Sequence, residues 1–267
     1  MLLFAVGSTT SRNSLKMPLK IIVNADDLGI SEPVNEAIFE GMRKGVVTSA
    51  TILANGAAIK AAAQQATSFP RCSFGIHLNL TEFAPLSETS QTELASILNE
   101  NRCFNGNAIR EVPINRQLLR AVFREWCRQI ETVMQLGVEP SHLDGHHHVH
   151  TIPQMLPVLA ALRHRYKIRK IRISRNLYID SQRPANSLLA KKALLNLALR
   201  TIGFKTTRLF TELATFLKLY STQPPHSASI ELMTHPGSVD LEEAQLLQDY
   251  WPSQIAYEKE LVSYKDL

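Results

Sequence analysis

Segments with the hydrophobic period of a β-strand alternate with segments of helical period along most of the chain. Leu19 to Ala25 is an apolar, β-branched run, and Ser31 to Lys44 follows with helical spacing. Ser31 is a natural N-cap, and Gly45 is placed to end this helix. Further strand candidates are Val46 to Leu53, Ser73 to Leu80, Ser141 to Asp144, Lys170 to Ser174 and Ser229 to Met233; further helix candidates are Ala57 to Ala66, Arg116 to Leu136, Pro153 to Arg165 and Leu188 to Ile202.

This alternation predicts an α/β fold with parallel strands and helices outside the sheet. About seven strand candidates favour a closed or nearly closed barrel over an open doubly wound sheet. The chain has no GxGxxG or GxxxxGK[ST] motif, so a nucleotide-binding sheet lacks its usual signature. We expect one domain over residues 17–267, and we expect residues 1–16 to be a disordered N-terminal extension.

Composition limits the cellular location and the kinds of binding partner that we expect. The cysteines Cys72, Cys103 and Cys127 form no CxxC pair, which favours a reducing, cytoplasmic location over a disulfide framework. The formal net charge is +5, and the basic run between Arg163 and Arg175 is interpreted as a solvated face rather than a nucleic-acid surface. No apolar run is long enough for an integral membrane segment.

Two of the predicted strands end in residues that can bind a cation or move a proton. Asp26 and Asp27 follow the first strand, and such a pair can divide its roles, one oxygen binding a metal and the other acting as a general base. An N-capping aspartate would account for only one of them. His77 shares a strand face with Asn79, opposite the apolar residues, although a lone strand histidine is more often a core group.

The strongest signal is the segment HLDGHHHVH at residues 142–150, because short histidine-rich segments usually bind metal. In extended geometry Asp144, His146 and His148 would lie on one side and His147 on the other. His235, in the THPG segment after the last strand, could exchange a proton with a substrate or be an ordinary turn residue.

The segment from Thr81 to Pro113 interrupts the alternation. It has weak periodicity and is rich in Ser, Thr, Asn and Glu. Long loops within compact domains are usually functional or mobile. A substrate-covering lid and an ordinary surface insertion are both compatible with this composition.

The motifs together resemble the YdjC-like family, which includes chitooligosaccharide deacetylases and hopanoid-biosynthesis deacetylases. The matching segments are IVNADDLGIS (22–31), GVVTSATILANG (45–56), GIHLNL (75–80), HLDGHHHVH (142–150) and MTHPG (233–237). Leu28 and Gly145 depart mildly from the family, which commonly has Phe and Ser there. The region from Arg175 to Ser227 matches no segment that we can assign.

The resemblance implies a TIM-like (β/α) barrel related to polysaccharide deacetylases, seven-stranded or irregular. It implies one divalent cation, Mg²⁺ or Zn²⁺, with Asp27, His77 and His146 as ligands. Asp26 takes the position of the catalytic base, and His235 is the candidate general acid. The positions named for substrate binding or for support of the ligands are Asn79, Asp144, His148 and Arg172.

The implied activity is removal of an N-acetyl group from an amino sugar of chito-oligosaccharide or glycolipid type. The expected partner is therefore a small carbohydrate or glycolipid, with a homodimer left open. Two other functions stay open: a metal-dependent phosphoesterase, because Asp and His clusters on barrels also serve phosphoryl chemistry, and a non-catalytic sugar- or metal-binding module.

Overall fold

The structure is a computed structural model that describes residues 18–86, 92–238 and 241–267. Within these residues a seven-stranded sheet forms, and every strand pair in it is parallel. The predicted N-terminal extension, residues 1–16, lies outside the described residues. The strands are β1 Leu19–Leu28, β2 Ser49–Ile52, β3 Ser73–Leu78, β4 Leu143–Gly145, β5 Leu209–Glu212, β6 Ser229–Thr234 and β7 Lys259–Leu261.

Helices follow most of the strands, as the alternation predicts. Short 3₁₀ turns occupy Ala95–Ile97, His146–Thr151, Pro153–Met155, Asp180–Gln182, Trp251–Gln254 and Tyr264–Asp266. The α-helices are α1 Glu32–Arg43, α2 Ile59–Ala66, α3 Ala108–Glu111, α4 Arg116–Gln135, α5 Leu156–Tyr166, α6 Asn186–Thr201, α7 Leu213–Tyr220 and α8 Leu241–Gln248. None of these helices combines the length and the apolar composition that crossing a bilayer requires.

Local sequence signals fix the limits of α1. The Ser31 side chain accepts a hydrogen bond from the backbone N–H of Val34, which is the predicted N-cap. The helix ends at Arg43, and Gly45 follows with φ = 72°, a left-handed conformation that glycine adopts without steric cost. Both expectations for this helix are confirmed.

The sheet has the order β4-β3-β2-β1-β6-β5, with β7 also paired to β1. The six strands in this order form a parallel half-barrel, so the predicted α/β class is confirmed and the predicted barrel closure is wrong. The segment Lys170 to Ser174, predicted as a strand, forms single bridges only, from Leu143 to Ile171 and from Lys170 to Lys205. Since β4 ends after three residues, where the chain turns at His146, it offers too short an edge for a longer ladder.

The core lies between the sheet and the surrounding helices. Eight of the ten residues of β1 are buried, as expected for a central parallel strand covered on both faces. Parallel strands place all their carboxyl ends at one edge of the sheet. This edge brings together Asp26 and Asp27 of β1, His77 of β3 and His235 beyond β6.

Candidate active site and metal centre

An irregularity in β1 positions the two neighbouring carboxylates. Pairing with β2 shifts register between Ala25 and Leu28, and Asp27 has φ = 67°. A left-handed conformation is costly for a residue with a side chain and is typical of functional sites. Successive strand residues normally point to opposite faces. With this bulge, Asp26 contacts Arg172 while Asp27 contacts His77 and His146.

His77 presents one ring nitrogen to Asp27 and the other to a buried carboxylate. Its Nδ1–H donates to Asp144 Oδ1 at 2.7 Å, and its Nε2 lies 3.3 Å from Asp27 Oδ1. Burial alone would lower the pKa of His77, but Asp144 and Asp27 raise it well above its ordinary value. A carboxylate behind a histidine is the usual support for a metal-binding imidazole.

His146 completes a group that we call the outer cluster: Asp27, His77 and His146. His146 Nδ1 lies 2.8 Å from Asp27 Oδ1. Burial would raise the pKa of Asp27, but His146 and His77 lower it well below its usual range. The ligand atoms of the three residues lie within 4.8 Å of one another. Sequence reasoning therefore named three residues that the fold brings together.

The donors of the outer cluster fit a divalent cation. Asp27 Oδ1 and His146 Nε2 are buried, yet neither has a hydrogen-bond partner among the described residues. Buried polar atoms without partners are costly, and a shared cation is one way to satisfy them. One carboxylate and two imidazoles suit several divalent ions, including Zn²⁺.

The histidine run is folded differently from its prediction. β4 stops at Gly145, and His147 and His148 have left-handed backbone conformations, with φ of 48° and 57°. The expectation that Asp144, His146 and His148 share one side of an extended strand is therefore wrong. A tight turn replaces the strand and separates these side chains.

The remaining histidines of the run have different surroundings. His147 is exposed, and its Nδ1 lies 3.0 Å from Thr81 Oγ1. His148 packs edge-on against Phe210, with ring centroids 6.0 Å apart. Burial, with the charge of Arg172, lowers the pKa of His148 to about 3, so it is neutral at physiological pH.

Arg172 is the centre of a second group, the inner cluster: Asp26, Asp144, Arg172 and Glu231. Its guanidinium bonds both oxygens of Asp26 at 2.6 Å, Glu231 at 2.8 Å and Asp144 at 3.0 Å. Arg172 has no exposed area, so the interpretation of the basic run as a solvated face is wrong for this residue. Burial would raise the pKa of Asp26, but Arg172 lowers it well below its usual range and keeps it ionised.

Tyr264 contacts the inner cluster through Glu231. Its hydroxyl donates to Glu231 Oε2 at 2.5 Å, and its ring stacks on His142 at 3.6 Å. Gly75 in β3 makes room for His142, since a Cβ there would lie 2.5 Å from the imidazole. Burial raises the pKa of Glu231 to about 7 even beside Arg172.

His235 lies at the exposed side of Asp26. Its Nε2 is 4.0 Å from Asp26 Oδ2, and its side chain is 38% exposed, whereas that of Asp26 is 3% exposed. This imidazole can therefore reach both a bound molecule and the buried carboxylate. The geometry allows His235 to exchange a proton at the edge of the site.

Asn79 shapes the loop that begins after β3. Its side chain accepts from the backbone N–H groups of Thr81 and Glu82 and donates to the Glu82 carbonyl. Gln129 of α4 pairs with the Asn79 backbone in both directions at 2.9 Å. These bonds hold the start of the predicted lid in place, and the lid interpretation itself stays a prediction.

Sequence reasoning missed three residues of the site. Glu82 Oε2 lies 3.4 Å from His146 Nε2, at the open side of the outer cluster. Glu231 interrupts the apolar β6, a signal that could have identified it. Tyr264 stands far from every motif, and no pattern in the sequence indicates its contact with Glu231.

Comparison with known proteins agrees with the motifs. Residues 20–265 match the family model described as YdjC-like protein. The chain belongs to the YdjC-like family. A chitooligosaccharide deacetylase from Klebsiella pneumoniae (strain 342) is 37% identical over 82% of this chain and 82% of its own length. A carbohydrate deacetylase from Halalkalibacterium halodurans is 30% identical over 83% of this chain and 86% of its own.

One further relative and one solved structure differ in coverage and identity. A carbohydrate deacetylase from Geobacillus stearothermophilus is 41% identical, but the match spans 60% of this chain and only 62% of that protein. A crystal structure of a protein from Enterococcus faecalis V583, provisionally named a cellobiose-phosphate cleavage protein, superposes with a TM-score of 0.73 at 24% identity. It covers 93% of this chain and 98% of the other, and it supports the fold of this YdjC-like protein.

Proposed function

We propose that this YdjC-like protein is a metal-dependent carbohydrate deacetylase that hydrolyses the N-acetyl group of an amino sugar. The names of its relatives support the activity. One observation of the chain itself carries the proposal: Asp27, His77 and His146 converge beside Asp26 and His235, and two of their buried polar atoms have no hydrogen-bond partner among the described residues. The substrate is an N-acetylated chito-oligosaccharide or a glycolipid with such a sugar.

The outer cluster would hold the cation, which we propose to be Mg²⁺ or Zn²⁺. When bound, a divalent ion supplies Lewis-acid polarisation of the acetyl carbonyl. The protein contributes the fixed donor geometry, because Asp144 orients the His77 ring through its Nδ1–H. Burial of His77 and His146 keeps water from competing for these donors.

Proton transfer would belong to Asp26 and His235. Asp26 is ionised and fixed by two bonds from Arg172, so its carboxylate can accept a proton from the attacking water. His235 Nε2 can then protonate the departing nitrogen, since an amine does not leave as an anion. The 4.0 Å between His235 Nε2 and Asp26 Oδ2 supports this pairing, because a bound amide could contact both groups.

The test is acetate release from a panel of N-acetylated amino sugars, with and without a chelator. We expect the parent to release acetate only when a divalent cation is present. His146→Ala should be at background, because it removes one of three ligand side chains. His164→Ala, the same substitution at an exposed position of α5, is the matched control and should behave like the parent.

Two outcomes would overturn the proposal. One is acetate release by His146→Ala at the rate of the parent. The other is release of phosphate from phosphate esters by the parent with no acetate from any N-acetylated sugar, which would assign the site to a phosphoesterase.

A further inference from the structure

The chain between β4 and β5 has an unusual distribution of charge. Residues 145–211 contain 13 Lys and Arg but a single acidic residue, Asp180, whereas the other 200 residues contain 16 Lys and Arg and 23 Asp and Glu. Of these 13, Arg172 is neutralised in the inner cluster and Arg165 pairs with Glu131. The segment still holds more cations than its surroundings neutralise, and such a surface attracts anions.

Part of this charge surrounds a cavity near the start of the edge strand β5. The cavity measures about 330 Å³ and lies between α6 and the segment after Arg172. It is separate from the outer cluster, since none of Asp27, His77 and His146 lines it. Its polar lining is formed by Arg175, Lys192, Arg200 and Arg208 with the amides of Asn176 and Asn196.

The cations of this cavity are poorly matched by carboxylates. Arg175 Nη1 pairs with Glu212 at 2.7 Å. Lys192 donates to the hydroxyl of Tyr178 at 2.5 Å. Among the described residues, no carboxylate lies within the 4.0 Å salt-bridge distance of Lys192, Arg200 or Arg208.

Arg200 and Arg208 also oppose each other. Burial and the nearby charge of Arg208 lower the pKa of Arg200 below its ordinary value. Arg200 is held in place by bonds to Thr206 Oγ1 at 2.9 Å and to the Thr207 carbonyl at 3.2 Å. Two guanidinium groups held near each other without a carboxylate are stabilised by an anion placed between them.

We propose that this cavity binds the phosphate group of a phosphate-bearing ligand, through Lys192, Arg200 and Arg208. Guanidinium groups match phosphate oxygens with paired hydrogen bonds, and lysine adds a compact charge. The cavity is larger than a single phosphate needs, so it also has room for the group esterified to it. The site is independent of the proposed deacetylation.

Two sources of phosphate share this chemistry: a soluble ester and a phospholipid headgroup. Exposed leucines on α6 are the reason to test a phospholipid headgroup as well as a soluble ester. Leu194 is 68% exposed and Leu197 is 58% exposed, and both lie next to the cavity-lining side of the helix at Ala193. Exposed leucines beside cations are typical of helices that lie on anionic membranes.

The first experiment titrates inorganic phosphate into the metal-loaded protein by calorimetry. We expect Arg208→Gln to weaken binding about tenfold and Arg200→Gln/Arg208→Gln to weaken it further, because hydrogen bonds to charged groups are lost. Arg208 is exposed, so its single substitution leaves the core intact if the double variant fails to fold. Arg120→Gln/Arg128→Gln on α4 is the control with the same change of charge, and it should bind like the parent.

His146→Ala separates this site from the metal centre and should bind phosphate like the parent. If phosphate binding is lost in His146→Ala, or is unchanged in Arg208→Gln and in the double variant, the proposal is wrong. The parent failing to bind phosphate and vesicles alike would also overturn it.

The second experiment identifies the source with vesicles of phosphatidylcholine, with and without phosphatidic acid. Sedimentation with phosphatidic acid that is lost in Leu194→Gln/Leu197→Gln, while phosphate binding is kept, supports a lipid headgroup at the site. Phosphate binding with no sedimentation supports a soluble phosphate ester at the same site.

Discussion

The outer and inner clusters lie side by side and use the same kinds of residue, but they differ in how their polar atoms are satisfied. In the inner cluster Arg172 contacts three carboxylates, and Tyr264 and Asn24 supply further hydrogen bonds. In the outer cluster Asp27 Oδ1 and His146 Nε2 have ion-pair contacts but no hydrogen-bond partner within the described part of the chain. The polar atoms of the inner cluster are satisfied by one another, whereas the outer cluster keeps donor atoms that a cation could bind.

The bulge in β1 gives two neighbouring residues different contacts. Asp26 and Asp27 are adjacent in sequence, yet Asp26 belongs to the inner cluster and Asp27 to the outer one. Asp144 joins the two, because it accepts from His77 and also pairs with Arg172. Asp144 therefore connects the inner cluster to the imidazole of His77 in the outer cluster.

The largest expected effect separates the two aspartates. Asp27→Asn should abolish metal binding and activity, because it removes the carboxylate to which both imidazoles point. Asp26→Asn should keep metal binding and lose about 10²–10⁴-fold in activity, the typical contribution of a general base. Calorimetric metal titration and acetate release, measured on both variants, check the split.

Each variant is the control for the other, since both exchange a carboxylate for an amide of the same shape. Equal loss of metal affinity in the two variants would contradict the division of roles between the clusters.

The outer cluster could be predicted from sequence because each member stands near the end of a strand. Parallel strands with intervening helices put those ends at one edge, and the family resemblance singled out Asp27, His77 and His146 among the residues there. The strands at the end of the sheet and its failure to close were harder to predict from the sequence. The short strand β5 and helix α7 lie in a region of weak periodicity, and closure of the barrel depends on the length of β4, which the turn at His146 sets.

The inner cluster could be predicted only in part, since its members are joined by side chains rather than by strand order. The family resemblance names Asp26, Asp144 and Arg172, but the charge pattern alone makes Arg172 one more cation in a basic run. Tyr264 and Glu231 are 33 positions apart in sequence. They meet because β7, just before Tyr264, pairs with β1. Such a contact leaves no local pattern.

The second effect concerns stability. Arg172→Met removes the one cation among three buried carboxylates, and breaking a buried ionic group in this way costs about 3–5 kcal/mol of unfolding free energy. Urea unfolding in the presence of a chelator measures this cost without a contribution from metal binding. Arg128→Met, at an exposed position of α4, is the matched control and should lie within about 0.5 kcal/mol of the parent.

A loss in Arg172→Met no larger than in the control would mean that the inner cluster is not the rigid support that its contacts indicate. The Asp27→Asn variant gives the opposite comparison under the same chelator. It should be less destabilised than Arg172→Met, because Asp27 contacts only the two imidazoles and is partly exposed, whereas Arg172 pairs with three buried carboxylates.

The smallest effect tests how far the inner cluster extends. Tyr264→Phe keeps the ring that stacks on His142 and removes only the hydroxyl that donates to Glu231. Leaving one buried acceptor without its donor costs about 1–3 kcal/mol, which is less than the loss of Arg172 because Glu231 keeps its bond to the guanidinium.

Tyr264→Leu removes the stacked ring as well, so urea unfolding should order the variants as Arg172→Met, Tyr264→Leu and Tyr264→Phe, from least to most stable. Metal affinity should be unchanged in Tyr264→Phe, since the hydroxyl contacts Glu231 and not the outer cluster. If Tyr264→Phe lowers metal affinity as much as it lowers stability, the two clusters are one cooperative unit. The inner and outer clusters would then differ in their hydrogen bonds, but their contributions to stability and to metal affinity would not be separable.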